Sequence, residues 1–356
     1  MSIARQRADL FCQRFGLRIP ILEAPMAGAC TPERSAAVAA AGGMGGFGAL
    51  MTDPDRIGPW VDEFRSLSDG PLHINLWVPD PEPAHDYALE ERLRTFLGGR
   101  GPEVPLDAAN ARPPDFDAQF DAALAARPTI VSSIMGLFPP DHAERIKQAG
   151  IAWFATATTL NEALAAQKAG ADVVIAQGSE AGGHRGTFNP AEAETSCIGL
   201  MALLPILRDR LAIPIVAAGG IADGRGVAAA LVLGAAAAMI GTGLLRCPEG
   251  NTPKAWAERL TRTAPEDTAI TRAFSGRPGR AIRTAYVRAA ESPDAPSAAA
   301  YPIQRGLTAA MRAEGIKTDD VERMQAWSGQ AAMLAQAESA GEIVQRIWAE
   351  AERLLA

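Results

Sequence analysis

The sequence is short of the features that mark metal, disulfide, membrane and nucleic-acid proteins. Its four cysteines, Cys12, Cys30, Cys197 and Cys247, are scattered with no CxxC spacing, which excludes a disulfide framework and a cysteine zinc site. Histidine is equally scarce, and His73, His85 and His142 stand apart, so they read as structural or surface residues and no metal site is expected. No apolar run approaches about 18 uncharged residues, the length a membrane span needs. The N-terminus, MSIARQRADLFCQRFG, lacks the apolar core of a signal segment. A net charge of −7 argues against non-specific nucleic-acid binding. These absences point to a cytoplasmic protein with reduced thiols that binds neither membrane nor nucleic acid.

What is present is alternation. Short apolar runs cover Pro20–Ala24, Gly45–Phe47, His73–Val78, Thr129–Ser133, Ala152–Ala155, Val173–Ala176, Pro214–Ala218 and Ala237–Ile240. Their density of apolar and β-branched residues is that of parallel strands buried on both faces. Ala-rich amphipathic stretches separate them, with start signals at Thr31-Pro32-Glu33, Pro140-Asp141, Thr159 to Glu162 (a capping-box spacing) and Asp223. Eight strands alternating with helices predict an α/β fold, a (β/α)8 TIM barrel, with a smaller mainly helical subdomain. A doubly wound sheet is the alternative, weakened because no GxGxxG follows the first strand.

Two stretches break the pattern. Pro79–Pro128 is rich in Pro, Gly and Asp, and Glu249–Tyr301 shows no clear strand pattern. Ala309–Glu314 and Val321–Leu355 read as helical, the latter interrupted near Ser328-Gly329 and Gly341. The expected division is a barrel of residues 1–78, 129–290 and 331–356, with an insertion at 79–128 and a helical cover at 291–330.

In a barrel the chemistry sits at the C-terminal strand ends, often with a phosphate after strands seven and eight. Here those ends are Gly219-Gly220 before the helix at Asp223, and Ile240-Gly241-Thr242-Gly243. Glycine amides leading into a helix N-terminus suit a phosphate, and Thr242 adds a hydroxyl. Met26 follows strand one, Asn75 lies in strand three and Gln177 ends strand six. Both amides offer the mixed donor and acceptor edge that a flavin ring needs. After strand six comes GSEAGGHRGTF, where Gly182-Gly183 permit close backbone approach beside His184, a group that titrates near neutral pH. Taken alone, that run also fits a tight turn with a surface histidine.

The chain resembles the nitronate monooxygenases. The likeness runs through ILEAPMAGACTPE (Ile21–Glu33), AQGSEAGGHRGTF (Ala176–Phe188) and IPIVAAGGIADGRGVAAAL (Ile213–Leu231). It continues through Gly241-Thr242, TRAFSGRPGRAIR (Thr271–Arg283), AYPIQ (Ala300–Gln304) and WSGQ (Trp327–Gln330). The resemblance implies a barrel binding FMN through Asn75, Gln177, Gly182, Gly220 and Met239 to Thr242, Ile240 and Gly241 included, with Gly183 and Gly219 in the same loops. It places His184 beside the flavin as the catalytic residue. Two positions depart from the family pattern. Met239 stands where the family commonly has Gln, and Ser132-Ser133-Ile134-Met135-Gly136 replaces a Ser-Phe-His-Phe-Gly run, so Ile134 occupies the place of a substrate-pocket histidine.

The activity implied is oxidation of alkyl nitronates, and of nitroalkanes if His184 removes the α-proton, by O2 to carbonyl compounds and nitrite. Ile134 and Tyr301 are the expected substrate walls, and Arg185 is either an added positive charge or a solvent-facing residue. The expected partners are the small substrate and O2, with homo-oligomerisation left open. Two other functions stay in view: an NAD(P)H-dependent flavin enoyl reductase, which shares EAGGH-like and AAGGI-like motifs, and a flavin-binding protein without turnover.

Overall fold

A computed structural model describes residues 2–356. Eight parallel strands form the barrel: β1 (Ile21–Glu23), β2 (Gly45–Gly48), β3 (Leu72–Trp77), β4 (Ile130–Ile134), β5 (Ala152–Ala157), β6 (Val173–Gln177), β7 (Ile215–Ala218) and β8 (Ala237–Ile240). Neighbours in space are neighbours in sequence, and β8 pairs with β1. A parallel bridge between Leu22 and Met44 closes the ring, with Glu23 N donating to Met44 O at 2.9 Å. The architecture is the expected TIM barrel.

The strands are mainly apolar because both faces are buried, and their period of two sorts the side chains. Along β6, Val173 and Ile175 join the inner core, whereas Val174 and Ala176 pack under the helices. The inner core is closed below by the N-terminal helix Ile3–Phe15, whose Phe11 and Phe15 meet Phe154 edge-on. The outer layer is sealed by the last helix, Ala340–Leu355, which buries Ile343, Val344, Ile347 and Trp348 and is started by a capping box between Ser339 and Glu342.

The expected caps form at Thr31, Thr159 and Asp223, each side chain accepting from the N–H three residues on. The capping box expected at Thr159 is only half made. Glu162 turns away and its carboxylate takes the N–H of Thr158 and of Phe188, tying the helix to the loop after β6.

The cover has its own core. Leu93 and Leu97 of the helix Tyr87–Gly98 pack with Phe274, Tyr286, Ile303, Leu307 and Met311. By contrast Phe120, on the helix Phe116–Ala125, belongs to the barrel layer. Two stretches differ from expectation. A three-stranded antiparallel sheet joins Thr268–Thr271, Gly279–Ile282 and Gly183–His184, where no strand was expected. Residues 321–339 form no α-helix, only the short turn Ala332–Leu334, and Gly341 lies inside the first turn of the final helix rather than interrupting one.

Candidate active site

The C-terminal end of the barrel opens into a cavity of about 770 Å3, within the range of small-molecule and cofactor sites. Its floor is built by inward positions at the strand ends: Ala24, Asn75, Ile134, Thr156, Gln177 and Met239. Asn75 donates from Nδ2 to Ser132 Oγ at 2.8 Å, which leaves its carbonyl oxygen as the polar atom offered to the cavity. Ser132 Oγ in turn meets Nε2 of the fully buried His73, so that histidine is a structural member of the floor.

Gln177 is committed mainly to the loop that follows it. Its Nε2 donates to His184 O at 3.1 Å, and its Oε1 accepts from Gly186 N at 2.8 Å and from Arg185 Nη1 at 3.1 Å. One amide thus folds residues 178–186 back over the barrel mouth. Arg185 is neither solvent-facing nor a cavity wall. It is 1% exposed, donates also to Gly178 O at 2.6 Å, and serves as the buried strut of the loop.

The same loop is clamped from the cover, because Gly183 and His184 pair with Arg280 and Gly279. His184 therefore enters the cavity from a short strand. Its ring lies between Trp77 and Trp327, each centroid 4.8 Å away, and its Nε2 is 2.7 Å from Ser275 Oγ. The Ser275 hydroxyl can donate to Arg277 O at 3.2 Å, and in that arrangement the imidazole proton sits on Nε2 and the Nδ1 lone pair is left for a ligand. Desolvation, with the positive fields of Arg277 and Arg305, pushes the His184 pKa down to about 3. The imidazole is neutral at neutral pH.

Two glycine loops line the same cavity, Gly219-Gly220 beside Ala181 and Gly241-Thr242 beside Gly182. Gly219 and Gly220 have φ of +113° and +69°, values that side chains resist. No acceptor takes the N–H of Gly220, Gly241 or Thr242 among the described residues. Thr242 Oγ1 accepts from Gly329 N at 2.9 Å and keeps its own proton to donate. These donors fit a compact anion such as a phosphate. At the N-terminus of the following helix two amides are already taken, Gly226 N by Asp223 and Gly224 N by Glu350 at 2.9 Å. After β8 the chain passes through Gly241 into a short 3-10 turn, Thr242–Leu244, instead of an α-helix. The anion cradle is thus loop amides and one hydroxyl.

The nitronate monooxygenase family model matches residues 10–350. The chain belongs to the nitronate monooxygenase family. It is 35% identical to a nitronate monooxygenase of Pseudomonas aeruginosa, with 95% of this chain and 98% of that protein covered. Among solved structures it resembles the nitroalkane oxidase of Streptomyces ansochromogenes, with a TM-score of 0.87 at 35% identity and coverage of 95% and 97%. It also resembles FabK from Thermotoga maritima, with a TM-score of 0.76, 26% identity and coverage of 97% and 96%. The protein is accordingly an oxidoreductase of this family, and no helix among its described residues is long and apolar enough to cross a membrane.

Of the site residues expected from the sequence, Met26, Ile134, His184 and the glycines 182, 183, 219, 220 and 241 line one cavity with Asn75, Gln177, Met239 and Thr242. Ile240 and Tyr301 do not. Ile240 points into the helix layer, and its carbonyl accepts from Ala24 N. Tyr301 stands one layer back, stacked on Trp77 at 4.9 Å and lining a smaller side pocket of about 190 Å3. The wall position expected for it is filled by Trp77. Ser275 and Trp327 were visible within the family motifs, but their contact with His184 depends on a sheet that no local pattern announces.

Proposed function

We propose that the protein oxidises alkyl nitronates and nitroalkanes with O2, using FMN, and releases a carbonyl compound and nitrite. The observation that carries this reading is the neutral His184, held by Ser275 in the wall of a cavity that is also lined by the amides of Gly220, Gly241 and Thr242, unpaired among the described residues. Bound FMN would supply the redox ring that takes electrons from the substrate and passes them to oxygen. The loops at Gly219-Gly220 and Gly241-Thr242 would hold its phosphate, with Asn75 at the ring edge.

The other steps belong to the chain itself. A nitroalkane must lose its α-proton, and a neutral imidazole with a free Nδ1 lone pair is the group to receive it. Ser275 fixes the tautomer by accepting from Nε2, and Trp77 and Trp327 hold the ring in plane. A nitronate arrives already deprotonated and needs only orientation. Ile134, Met135 and Trp77 give that end of the pocket an apolar wall, which suits an alkyl chain. Trp327 and the Gly182–Gly329 contact close the loop over the cavity and keep bulk water from the reacting carbon.

Mass analysis of the ligand released on unfolding tests the cofactor. FMN is expected. FAD, or no flavin after reconstitution, would contradict the reading.

A further inference from the structure

Two guanidinium groups stand at the outer end of the cavity with no acid to answer them. Arg305, on the short helix Ile303–Leu307, and Arg312, on the helix Ala309–Lys317, line both the active-site cavity and the smaller side pocket. Arg312 is fixed in place, donating from Nε to Thr308 Oγ1 at 3.1 Å and from Nη2 to Arg305 O at 2.9 Å. The Arg305 guanidinium makes no hydrogen bond and no ion pair among the described residues, and the half-buried residue lines the cavity wall.

A half-buried guanidinium that lines a cavity and has no partner is available to an anion bound there. The only carboxylate lining the cavity among the described residues is Asp319, whose oxygens already take Ala255 N at 3.0 and 3.1 Å. In the side pocket the third arginine, Arg112, is paired with Glu82. The consequence shows in the charges themselves. Burial lowers the Arg305 pKa, with only the Tyr301 hydroxyl opposing it, and burial together with Arg305 lowers that of Arg312 to about 10. Arg305 also contributes to keeping His184 neutral, so its field reaches the catalytic ring.

We propose that Arg305, steadied by Arg312, is the specificity-determining anion anchor of the cavity and binds a planar oxyanion of the substrate. This rests on the nitronate reading of the site and deepens it. The guanidinium fork matches two coplanar oxygens, as in a nitronate or a carboxylate, better than any neutral group. Two sources supply such oxygens: the reacting nitronate itself, or a carboxylate carried at the far end of the substrate.

The test compares the FMN-loaded wild type with Arg305→Gln and Arg305→Lys. Three substrates are used: an alkyl nitronate, its neutral nitroalkane, and a nitronate of similar length with a terminal carboxylate. Nitrate binding is followed by calorimetry alongside. Losing a buried charged hydrogen bond should raise KM for an anionic substrate by roughly 10- to 100-fold in Arg305→Gln, with kcat changed little. KM for the neutral nitroalkane should stay within about threefold, and the lysine variant should fall between. Loss of nitrate binding together with the plain nitronate identifies the reacting group as the ligand. A loss confined to the carboxylated substrate identifies the remote carboxylate. Unchanged nitrate affinity and unchanged KM for both anions in either variant would overturn the proposal. If Arg305→Gln does not fold, the lysine variant and nitrate binding to the wild type decide the matter. Nitrate binding also separates the subsite from the activity, because it is expected even if no nitronate is turned over.

Discussion

Ser275 Oγ lies 2.7 Å from Nε2 of His184, and the hydroxyl that makes this contact comes from the turn between Thr271 and Gly279, 91 residues away in sequence. The bond decides which ring nitrogen carries the proton and therefore what His184 can do. Nδ1 becomes an acceptor, the state that proton abstraction from a neutral nitroalkane requires. His184→Ala should retain flavin and lower turnover of nitroalkanes by about 10²-fold or more, the usual range for a lost general base. Ser275→Ala should lower it less, because the ring remains but either tautomer becomes available. Steady-state kinetics with flavin content measured in parallel checks both. Full activity with full flavin in His184→Ala would return the residue to a structural role.

The same burial sets a pH dependence of stability. His73 and His184 both have pKa values pushed down to about 3, in each case mainly by desolvation. Their unfolded values lie near 6.5, so the unfolded chain takes up protons first as pH falls. The stability they contribute is therefore complete above about pH 6.5 and is lost progressively toward pH 3. In His73→Gln the fall of Tm across that window should be shallower than in the wild type. Melting curves between pH 7 and pH 4 measure it, and an equally steep fall would contradict the assignment.

A third prediction concerns Gly182. A Cβ there would meet the main chain at Gly329 and sit 2.6 Å from Ser328 C, against backbone that has no easy way to yield. Gly182→Ala should push the 328–329 segment off Thr242, lowering Tm by several degrees and weakening flavin retention, as overpacking in a tight contact does. Thermal melts and the flavin-to-protein ratio report the two effects. A variant that keeps both would show that the contact is loose.

The barrel was legible in the sequence because parallel strands buried on both faces leave dense apolar runs, and glycines mark their ends. Asn75 and Gln177 stood out as amides in or at the end of strand runs and Met239 through the family resemblance, and all three line the cavity. The small sheet was not. Its strands are four, four and two residues long, and two of them carry Arg280 and His184, so no period of two stands out. Residues 321–339 carry an Ala-rich pattern that reads as helix, but long-range contacts hold them irregular: Trp327 packs on His184 and Phe274, and Gly329 on Thr242. Arg185 was misjudged because charged loop residues are usually exposed, and its burial follows from a partnership with Gln177 and Gly178 O.

The central claim is that electrons enter this site from a nitronate. The measurement that tests it most directly is anaerobic stopped-flow spectroscopy of the FMN-loaded protein, mixed separately with an alkyl nitronate, NADH and NADPH. Nitronate should bleach the flavin rapidly, the pyridine nucleotides slowly or not at all, and admitting air should then give oxygen uptake with matching nitrite release. Fast bleaching by NADH or NADPH, with no spectral change on adding nitronate, would contradict the account and make the protein a nicotinamide-dependent reductase.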